Sequence, residues 1–449
     1  MKPATMHSPT RNPGRRGGPP IAYVNARLVD PATGIDMLGG VVVADGMIAD
    51  WGAHLARAEA LGSSGIEAVD CAGAVLAPGL VDMRVQLREP GEEHKETFAS
   101  AANAAAAGGV TSMVMLPNTN PVIDDPSLVE SVARRARENS RVKIFTHAAV
   151  TRGLEGREMT EFGLLAEAGA LGFTDALSAV ANPTMMRRAL SYARMVGRIV
   201  IQHPEEPTLT RNACATEGEI ATRLGLPAAP AIAEVMMIER DLRLVELTRA
   251  PLHFAHVSTA AAIDAIRAAK KNGLPITCDT APPYFSLNEL AVGDYRSFAK
   301  LTPPLRTESD RQAVAEGVAD GTIDVIASDH APHDQDSKRL PYAQAAAGAI
   351  GLETLLTVAL ELVHTKRLSL LELLRRLTVT PATILKLPSG RMAKGAAADL
   401  VVFDPERAWK IREAEFRSKS KNSPFDGRPV QGRVMRTLVN GESIFHLER

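Results

Sequence analysis

The stretch VLAPGLVDMRVQ (Val75–Gln86) is the first of a series of short apolar runs that decides the fold. Each run is long enough for one buried strand and ends at or near a polar residue. Such near-continuous apolar runs are typical of parallel strands that are covered on both faces. The runs that follow are TSMVMLPN (111–118), VKIFTH (142–147), ALGFTD (170–175), RIVIQH (198–203), PLHFAH (251–256), LPITCD (274–279) and IDVIASD (323–329).

Helix-like segments separate these runs. In SLVESVARRARE (127–138) and TAAAIDAIRAAKKNG (259–273), apolar residues recur with the spacing of an amphipathic helix. Buried strands alternating with helices in this number predict an α/β protein with a TIM (β/α)8 barrel. A doubly wound open sheet is the alternative that the pattern leaves open. The polar residues at the run ends favour the barrel, because all its strands open onto one face at their C-terminal ends.

Both ends of the chain instead contain short strands and turns. Asp45-Gly46 and Asn440-Gly441 each separate two alternating apolar runs, which is a hairpin signal. The chain is therefore predicted to combine the barrel with a small β domain built from both termini. The predicted divisions are a disordered tail over 1–20, β-domain parts over 21–75 and 391–449, and the barrel over 76–390.

Composition excludes several classes of protein. Of 449 residues, 51 are basic and 52 acidic, so no field of one sign predicts binding to nucleic acid or to a membrane surface. No apolar run approaches the ~20 residues of a membrane helix, and Met1–Pro20 lacks the apolar core of a secretory signal. Three scattered cysteines indicate reduced thiols and not a disulfide framework. A cytoplasmic protein is expected.

The polar residues at the run ends form a chemically coherent set. Carboxylates and imidazoles predominate, and these are ligands that zinc prefers. Any one of them alone is explained equally well as a turn cap or a buried core histidine. Their joint occurrence favours a metal-assisted site. The residues are Arg88, Asn118, His147, Asp175, His203, His256, Asp279 and Asp329.

At these residues the chain resembles the dihydroorotases of the amidohydrolase superfamily, from about Ile21 onward. The resemblance implies reversible ring closure of N-carbamoyl-L-aspartate to L-dihydroorotate in pyrimidine biosynthesis. The motifs that carry it are PGLVDMRVQLREPG (78–91), ETFASAANAAAAGGVTSMVMLPNTNPV (96–122), FTD (173–175), HPEE (203–206), AHVSTA (255–260), PPLR (303–306) and ASDHAPH (327–333).

The resemblance also implies a role for each site residue. Asp329 is expected to be both a metal ligand and the catalytic proton carrier. A guanidinium and an amide suit a substrate carboxylate, which they hold through planar, charge-assisted hydrogen bonds. The expected metal ligands are Asp175, His203, His256 and Asp329, and the expected substrate-binding residues are Arg88, Asn118 and His333.

One departure from the family's pattern is serious. Arg84 and Gln86 stand where related enzymes carry the HxH pair that holds one of two metals. A guanidinium offers no lone pair at neutral pH, and an amide oxygen is a weak zinc ligand. The first metal is therefore expected to be lost, leaving one zinc ion per chain. Arg84 is expected to replace the lost cation electrostatically and keep Asp329 ionised.

Three functional hypotheses remain open at this stage. The first is a dihydroorotase-like hydrolase with a mononuclear zinc site, forming a homo-oligomer. The second is a non-catalytic subunit that supports the assembly of aspartate transcarbamoylase, with Arg84 paired to Asp175 or Asp329. The third is a different cyclic-amide hydrolase such as a hydantoinase, which the acid-binding residues Arg88 and Asn118 disfavour.

Overall fold

The computed structural model describes residues 18–61 and 65–448. The predicted tail over 1–20 therefore lies almost wholly outside the described residues. The strands are β1 (Ile21–Asp30), β2 (Ile35–Ala44), β3 (Met47–Gly52), β4 (Glu67–Asp70), β5 (Val75–Pro78), β6 (Leu80–Val85), β7 (Val110–Met115), β8 (Lys143–Thr146), β9 (Gly172–Phe173), β10 (Ile199–Gln202), β11 (Ala215–Thr216), β12 (Ala228–Ala229), β13 (Leu252–Phe254), β14 (Ile276–Thr280), β15 (Val325–Ile326), β16 (Leu400–Lys410), β17 (Pro429–Val439) and β18 (Glu442–His446).

Helices connect the strands of the middle region and follow the last of them. They are α1 (Phe98–Ala107), α2 (Pro126–Asn139), α3 (Phe162–Ala168), α4 (Pro183–Met195), α5 (Pro207–Thr210), α6 (Glu219–Leu224), α7 (Ile232–Thr248), α8 (Ala260–Lys271), α9 (Pro282–Ser286), α10 (Glu308–Asp320), α11 (Gln335–Arg339), α12 (Leu355–Ala359), α13 (Glu361–His364), α14 (Leu370–Leu377) and α15 (Val379–Ile384).

A sheet built from both ends of the chain forms one part of the molecule. Its strand order is β18-β17-β16-β5-β1-β2-β3, with β4 paired to β1. Both predicted hairpins are confirmed: Asp45-Gly46 joins β2 to β3, and Asn440-Gly441 joins β17 to β18. All four turn residues have positive φ, as a two-residue type I′ turn requires. The predicted division at residue 75 falls within β5, which pairs with both β1 and β16.

Eight parallel strands, one in each predicted run, form two sheets in the middle region, and β11 and β12 pair separately. One sheet has the order β6-β7-β8 and another the order β15-β14-β13-β10-β9. Parallel bridges join the two sheets on both sides, between Ala148 and Phe173 and between Val85 and His330. Every residue of β6 and β7 is buried, as expected for strands that helices cover.

The connecting helices follow from local sequence. Asp125 accepts a hydrogen bond from the backbone of Ser127 and so caps the start of α2, which presents buried Val129, Val132 and Ala136 to the core. Thr259 caps α8 in the same way, with its side chain accepting from the Ala262 N–H. These buried helix faces and the strands share one large hydrophobic core. Among the residues described, no helix has the length and apolar character needed to cross a bilayer.

Candidate active site at the strand ends

The end of β6 and the segment that follows β15 lie side by side. Val85 forms its parallel bridge with His330, and the next N–H along the chain donates to the His330 carbonyl at 2.8 Å. The two segments are therefore adjacent at this bridge. On either side of it lie two pairs of predicted functional side chains in contact, Arg84 with Asp329 and Arg88 with His333.

Arg84 is buried and forms an ion pair with Asp329. Its Nε donates to Asp329 Oδ1 at 2.9 Å, and its side chain is only 2% exposed. Nη2 lies 3.4 Å from both the Ala176 carbonyl oxygen and His256 Nε2. Nη1 is buried and has no hydrogen-bond partner in the part of the chain that the structure describes. The predicted pairing of Arg84 with Asp329 is thus observed.

Asp329 also contacts His256. Because a carboxylate only accepts hydrogen bonds, the His256 Nδ1–H donates to Asp329 Oδ2, at 3.2 Å. Burial alone would raise the pKa of Asp329, but the positive charge that His256 can carry and the Arg84 guanidinium outweigh it and hold that pKa well below its usual range. Burial, reinforced by Arg84, lowers the pKa of His256 to about 4. At neutral pH, Asp329 is an anion and His256 is neutral.

His203 lies against His256 and links it to Glu205. His203 Nδ1 is 2.6 Å from His256 Nε2, and His203 Nε2 is 3.0 Å from Glu205 Oε2. Since the His256 proton lies on Nδ1, its Nε2 accepts from His203. Burial opposes ionisation of Glu205, but the hydrogen bond to His203 prevails and lowers the pKa of Glu205 to about 2. Both ring nitrogens of His203 are therefore engaged by other side chains.

Asp175 is held apart from these groups by Thr151. One carboxylate oxygen accepts from the Thr151 N–H at 2.9 Å and the other from the Thr151 hydroxyl at 2.6 Å. Burial raises the pKa of Asp175 to about 6 in spite of these bonds. Its neighbour Ala176 reaches Arg84 through a backbone carbonyl. The backbone at Asp175 thus lies at the site, while its carboxylate is bonded to Thr151.

These contacts do not fit a metal centre. The His256 Nε2 lone pair faces both His203 and Arg84, and a guanidinium pairs with the carboxylate that would bind the ion. Asp175 bonds to Thr151 through both oxygens. Within residues 18–61 and 65–448, no group of three or more His, Cys, Asp or Glu side chains is arranged to hold a metal ion.

Arg88 and His333 form a second pair on the same two segments. Arg88 Nε donates to the Pro332 carbonyl at 3.1 Å, and Nη1 donates to Glu92 at 3.2 Å. Burial and the adjacent Arg88 charge lower the pKa of His333 to about 3, so the ring is neutral. Its Nε2–H donates to the Ala347 carbonyl at 2.9 Å. Arg88 Nη2, 3.2 Å from that same nitrogen, consequently meets another donor and stays available to an anionic ligand.

Asn118 is positioned by Gln86. The Asn118 Nδ2 donates to Gln86 Oε1 at 3.1 Å, and the Gln86 side chain is almost fully buried. Gln86 directly follows the last residue of β6, so the end of this strand positions the amide that Asn118 contacts. The amide at this position therefore has a role as an acceptor for Asn118.

A cavity of about 650 Å³ opens beside His203 and Glu205. Its walls include Thr302 and Lys300, from the segment that precedes PPLR, and Ala347, whose carbonyl holds His333. This volume is in the range that accommodates a small organic molecule. Among the predicted site residues, His203 lines this space directly, and His333 is linked to it through Ala347.

Three residues in this site were not assigned by the sequence. Glu205 lies two residues after the motif histidine in HPEE, and that proximity is the signal that could have found it. Thr302 donates to Glu205 at 3.2 Å, and Arg306 lies 3.8 Å from the same carboxylate. At three predicted site residues the backbone has positive φ, which is uncommon outside glycine and frequent at functional sites. Those residues are Arg88, His256 and Asp329.

The family model and the relatives that match this chain in sequence carry the same family name. A family model described as "Dihydro-orotase-like" matches residues 73–262. A protein of Anaplasma phagocytophilum (strain HZ) named "Dihydroorotase" is 46% identical over 429 residues, covering 95% of this chain and 96% of that protein. A "Dihydroorotase" of Wolbachia sp. subsp. Drosophila simulans (strain wRi) is 45% identical, covering 96% of this chain and 97% of its own length.

Solved structures share the fold at lower identity. The L-hydantoinase (dihydropyrimidinase) from Arthrobacter aurescens superposes with a TM-score of 0.83 at 24% identity, covering 95% of this chain and 96% of that one. The dihydropyrimidinase from Brevibacillus agri NCHU1002 superposes with a TM-score of 0.82 at 22% identity, covering 95% of each chain. At these identities the likeness concerns the fold alone.

Proposed function

Since the chain belongs to the dihydroorotase family, we propose that it is a cyclic-amide hydrolase of de novo pyrimidine biosynthesis. Its substrates are N-carbamoyl-L-aspartate and L-dihydroorotate, which it interconverts. The observation that carries this proposal is the bridge between Val85 and His330, with Arg84 paired to Asp329 on one side of it and Arg88 beside His333 on the other. These contacts support a site in which Arg88 binds a carboxylate near the ionised Asp329.

In this proposal some side chains of the site bind the substrate and another transfers a proton. Arg88 and Asn118 donate to the substrate carboxylate, with Arg88 supplying the charge, and His333, whose N–H is bonded to the Ala347 carbonyl, lies beside Arg88. In ring opening, water adds to the ring carbonyl carbon and the carbon–nitrogen bond breaks. Asp329 takes the proton from the water and delivers it to the departing ring nitrogen. Ring closure uses the same steps in reverse.

The zinc ion stays a prediction. Family resemblance implies one ion per chain on Asp175, His203, His256 and Asp329, and it would supply an activated water when bound. The observed contacts of these four side chains do not fit that ion.

A second candidate is a non-catalytic subunit that supports aspartate transcarbamoylase. The observation in its favour is the ion pair between Arg84 and Asp329, which neutralises the site without any bound ion. The relatives carry the name of the catalytic activity, so this alternative is not favoured. A hydantoinase is disfavoured as well, because likeness to hydantoinases is confined to the fold.

A spectrophotometric assay with L-dihydroorotate tests the proposal. The wild type should turn the substrate over, and Asp329→Ala should abolish the reaction because it removes the group assigned to carry the proton. Asp264→Ala, which removes an exposed carboxylate, serves as the matched control and should keep the wild-type rate. A wild type without turnover would leave the scaffold hypothesis, and equal turnover by the wild type and Asp329→Ala would refute the role of Asp329.

The proposal also covers the domain organisation, the oligomeric state and the cellular location of the protein. We infer a closed barrel from the bridges that join the two parallel sheets, with domain divisions near residues 75 and 390. A homo-oligomer and a cytoplasmic location stay predictions. Size-exclusion chromatography with light scattering tests the first, and fractionation of the producing cell tests the second.

A further inference from the structure

We propose that Arg84 is the resident cation of this site, taking the place of a metal ion and making the site independent of divalent metal. The inference deepens the proposed function and rests on it only where substrate is concerned. Its basis is the set of contacts that Arg84 and Gln86 make at the two positions where the HxH pair is missing.

The guanidinium occupies the acceptor atoms that a metal would need. Its Nε is bonded to Asp329 Oδ1, and its Nη2 faces the His256 Nε2 lone pair and the Ala176 carbonyl. The side chain is 2% exposed and is anchored by a buried strand, so it has no room to swing into solvent. A divalent ion at this point would meet a fixed positive charge in a medium of low dielectric.

Gln86, at the second replaced position, makes a contact of a different kind. Gln86 Oε1 accepts from Asn118 and therefore orients a substrate-binding amide. The two replacements act together: one supplies positive charge to Asp329, and the other ties the strand to the carboxylate-binding set. Loss of a metal pair alone would not require either contact.

Arg84 Nη1 is available to donate a hydrogen bond to the substrate. Nη1 is buried and has no partner among the residues that the structure describes, although a buried guanidinium N–H is costly to leave unbonded. The carbonyl oxygen of a bound cyclic amide is an acceptor of the right kind. We assign to Nη1 the stabilisation of the oxyanion that forms when water adds to that carbonyl, which is the electrophilic role of a metal.

Zinc titration tests the metal-independent site without relying on activity. The probe is Zn²⁺ alone, added in competition with a chromophoric chelator and followed by elemental analysis after desalting. The wild type should retain no stoichiometric zinc. The double variant Arg84→His/Gln86→His restores the HxH pair and should retain about one zinc ion per chain, held with His203 or His256. Arg84→Lys, which keeps the charge and adds no imidazole, should remain zinc-free.

Each outcome decides the question. Stoichiometric zinc in the wild type that disappears in His256→Ala would overturn the proposal, as would a folded double variant that binds no more zinc than the wild type. If the double variant does not fold, Arg84→His alone must bind more zinc than the wild type. An inactive wild type would refute the proposed function and leave this titration valid. In an active wild type, a chelator should leave the rate unchanged.

The role of Nη1 needs its own readout. Arg84→Lys keeps a positive charge near Asp329 but loses the planar fork, so kcat should fall at least tenfold while KM for L-dihydroorotate stays close to the wild-type value. A rise in KM with an unchanged kcat would show that Arg84 only binds substrate, and this would overturn the assignment.

Discussion

Replacing Arg88 by methionine tests whether this guanidinium holds the substrate carboxylate. The three guanidinium nitrogens of Arg88 face different partners. Nε is bonded to Pro332 and Nη1 to Glu92, while Nη2 faces a histidine nitrogen that is itself a donor. One nitrogen is therefore free to make a charge-assisted hydrogen bond to the substrate. Methionine keeps an unbranched apolar stem and removes that bond.

The expected loss follows from the energy of such a bond. A hydrogen bond to a charged group contributes about 1.5–3 kcal/mol. At 1.4 kcal/mol for each factor of ten, kcat/KM for L-dihydroorotate should fall roughly 10- to 150-fold. Most of the change should lie in KM, because the carboxylate is bound equally in the ground state and in the transition state.

Steady-state kinetics on both directions of the reaction measures this effect. Arg243→Met, which removes an exposed guanidinium from a surface pair, is the matched control and should leave kcat/KM unchanged. A fall of less than about threefold in Arg88→Met would mean that the carboxylate binds elsewhere, since that is under half of the smallest energy expected for the bond. A fall confined to kcat would also refute the reasoning.

The remaining predictions concern stability and protonation. Lys143→Met should lower the free energy of unfolding by about 3–5 kcal/mol, because it leaves the Asp399 carboxylate buried without its cation. Urea unfolding measures this loss. A double variant Lys143→Met/Asp399→Asn that is no more stable than Lys143→Met would contradict this explanation. Burial lowers the pKa of Lys338 to about 7, from an unfolded value near 10.5. Below pH 7 the buried amine is charged, and this lowers the free energy of unfolding by its full amount. As the pH rises from 7 towards 10.5 the folded protein holds a neutral amine, so this destabilisation is progressively lost. The stability of the wild type relative to Lys338→Met should accordingly increase across that window, and parallel pH profiles would contradict it. In Arg88→Met, loss of a nearby positive charge should raise the pKa of His333 from about 3, as followed by NMR titration of the ring; an unchanged pKa would mean that burial alone sets it.

The sequence alone determined the secondary structure and its order. Each of the apolar runs contains a strand and the segments between them contain helices, because hydrophobic periodicity is a local property of the chain. The two hairpins were equally predictable, since Asp45-Gly46 and Asn440-Gly441 each supply two residues that adopt positive φ readily. Even the pairing of Arg84 with Asp329 could be anticipated, because the loss of a metal leaves an anion in need of a cation.

Only the tertiary structure decided which atoms contact each other at the site. Sequence placed Asp175 with His203 and His256, but both oxygens of Asp175 bond to Thr151. It assigned no role to Glu205, which engages His203. Hydrogen bonds depend on the side-chain direction and on tenths of an ångström between residues far apart in sequence. Strand periodicity carries no such information, so the ends of the strands could be predicted and the bonds between them could not.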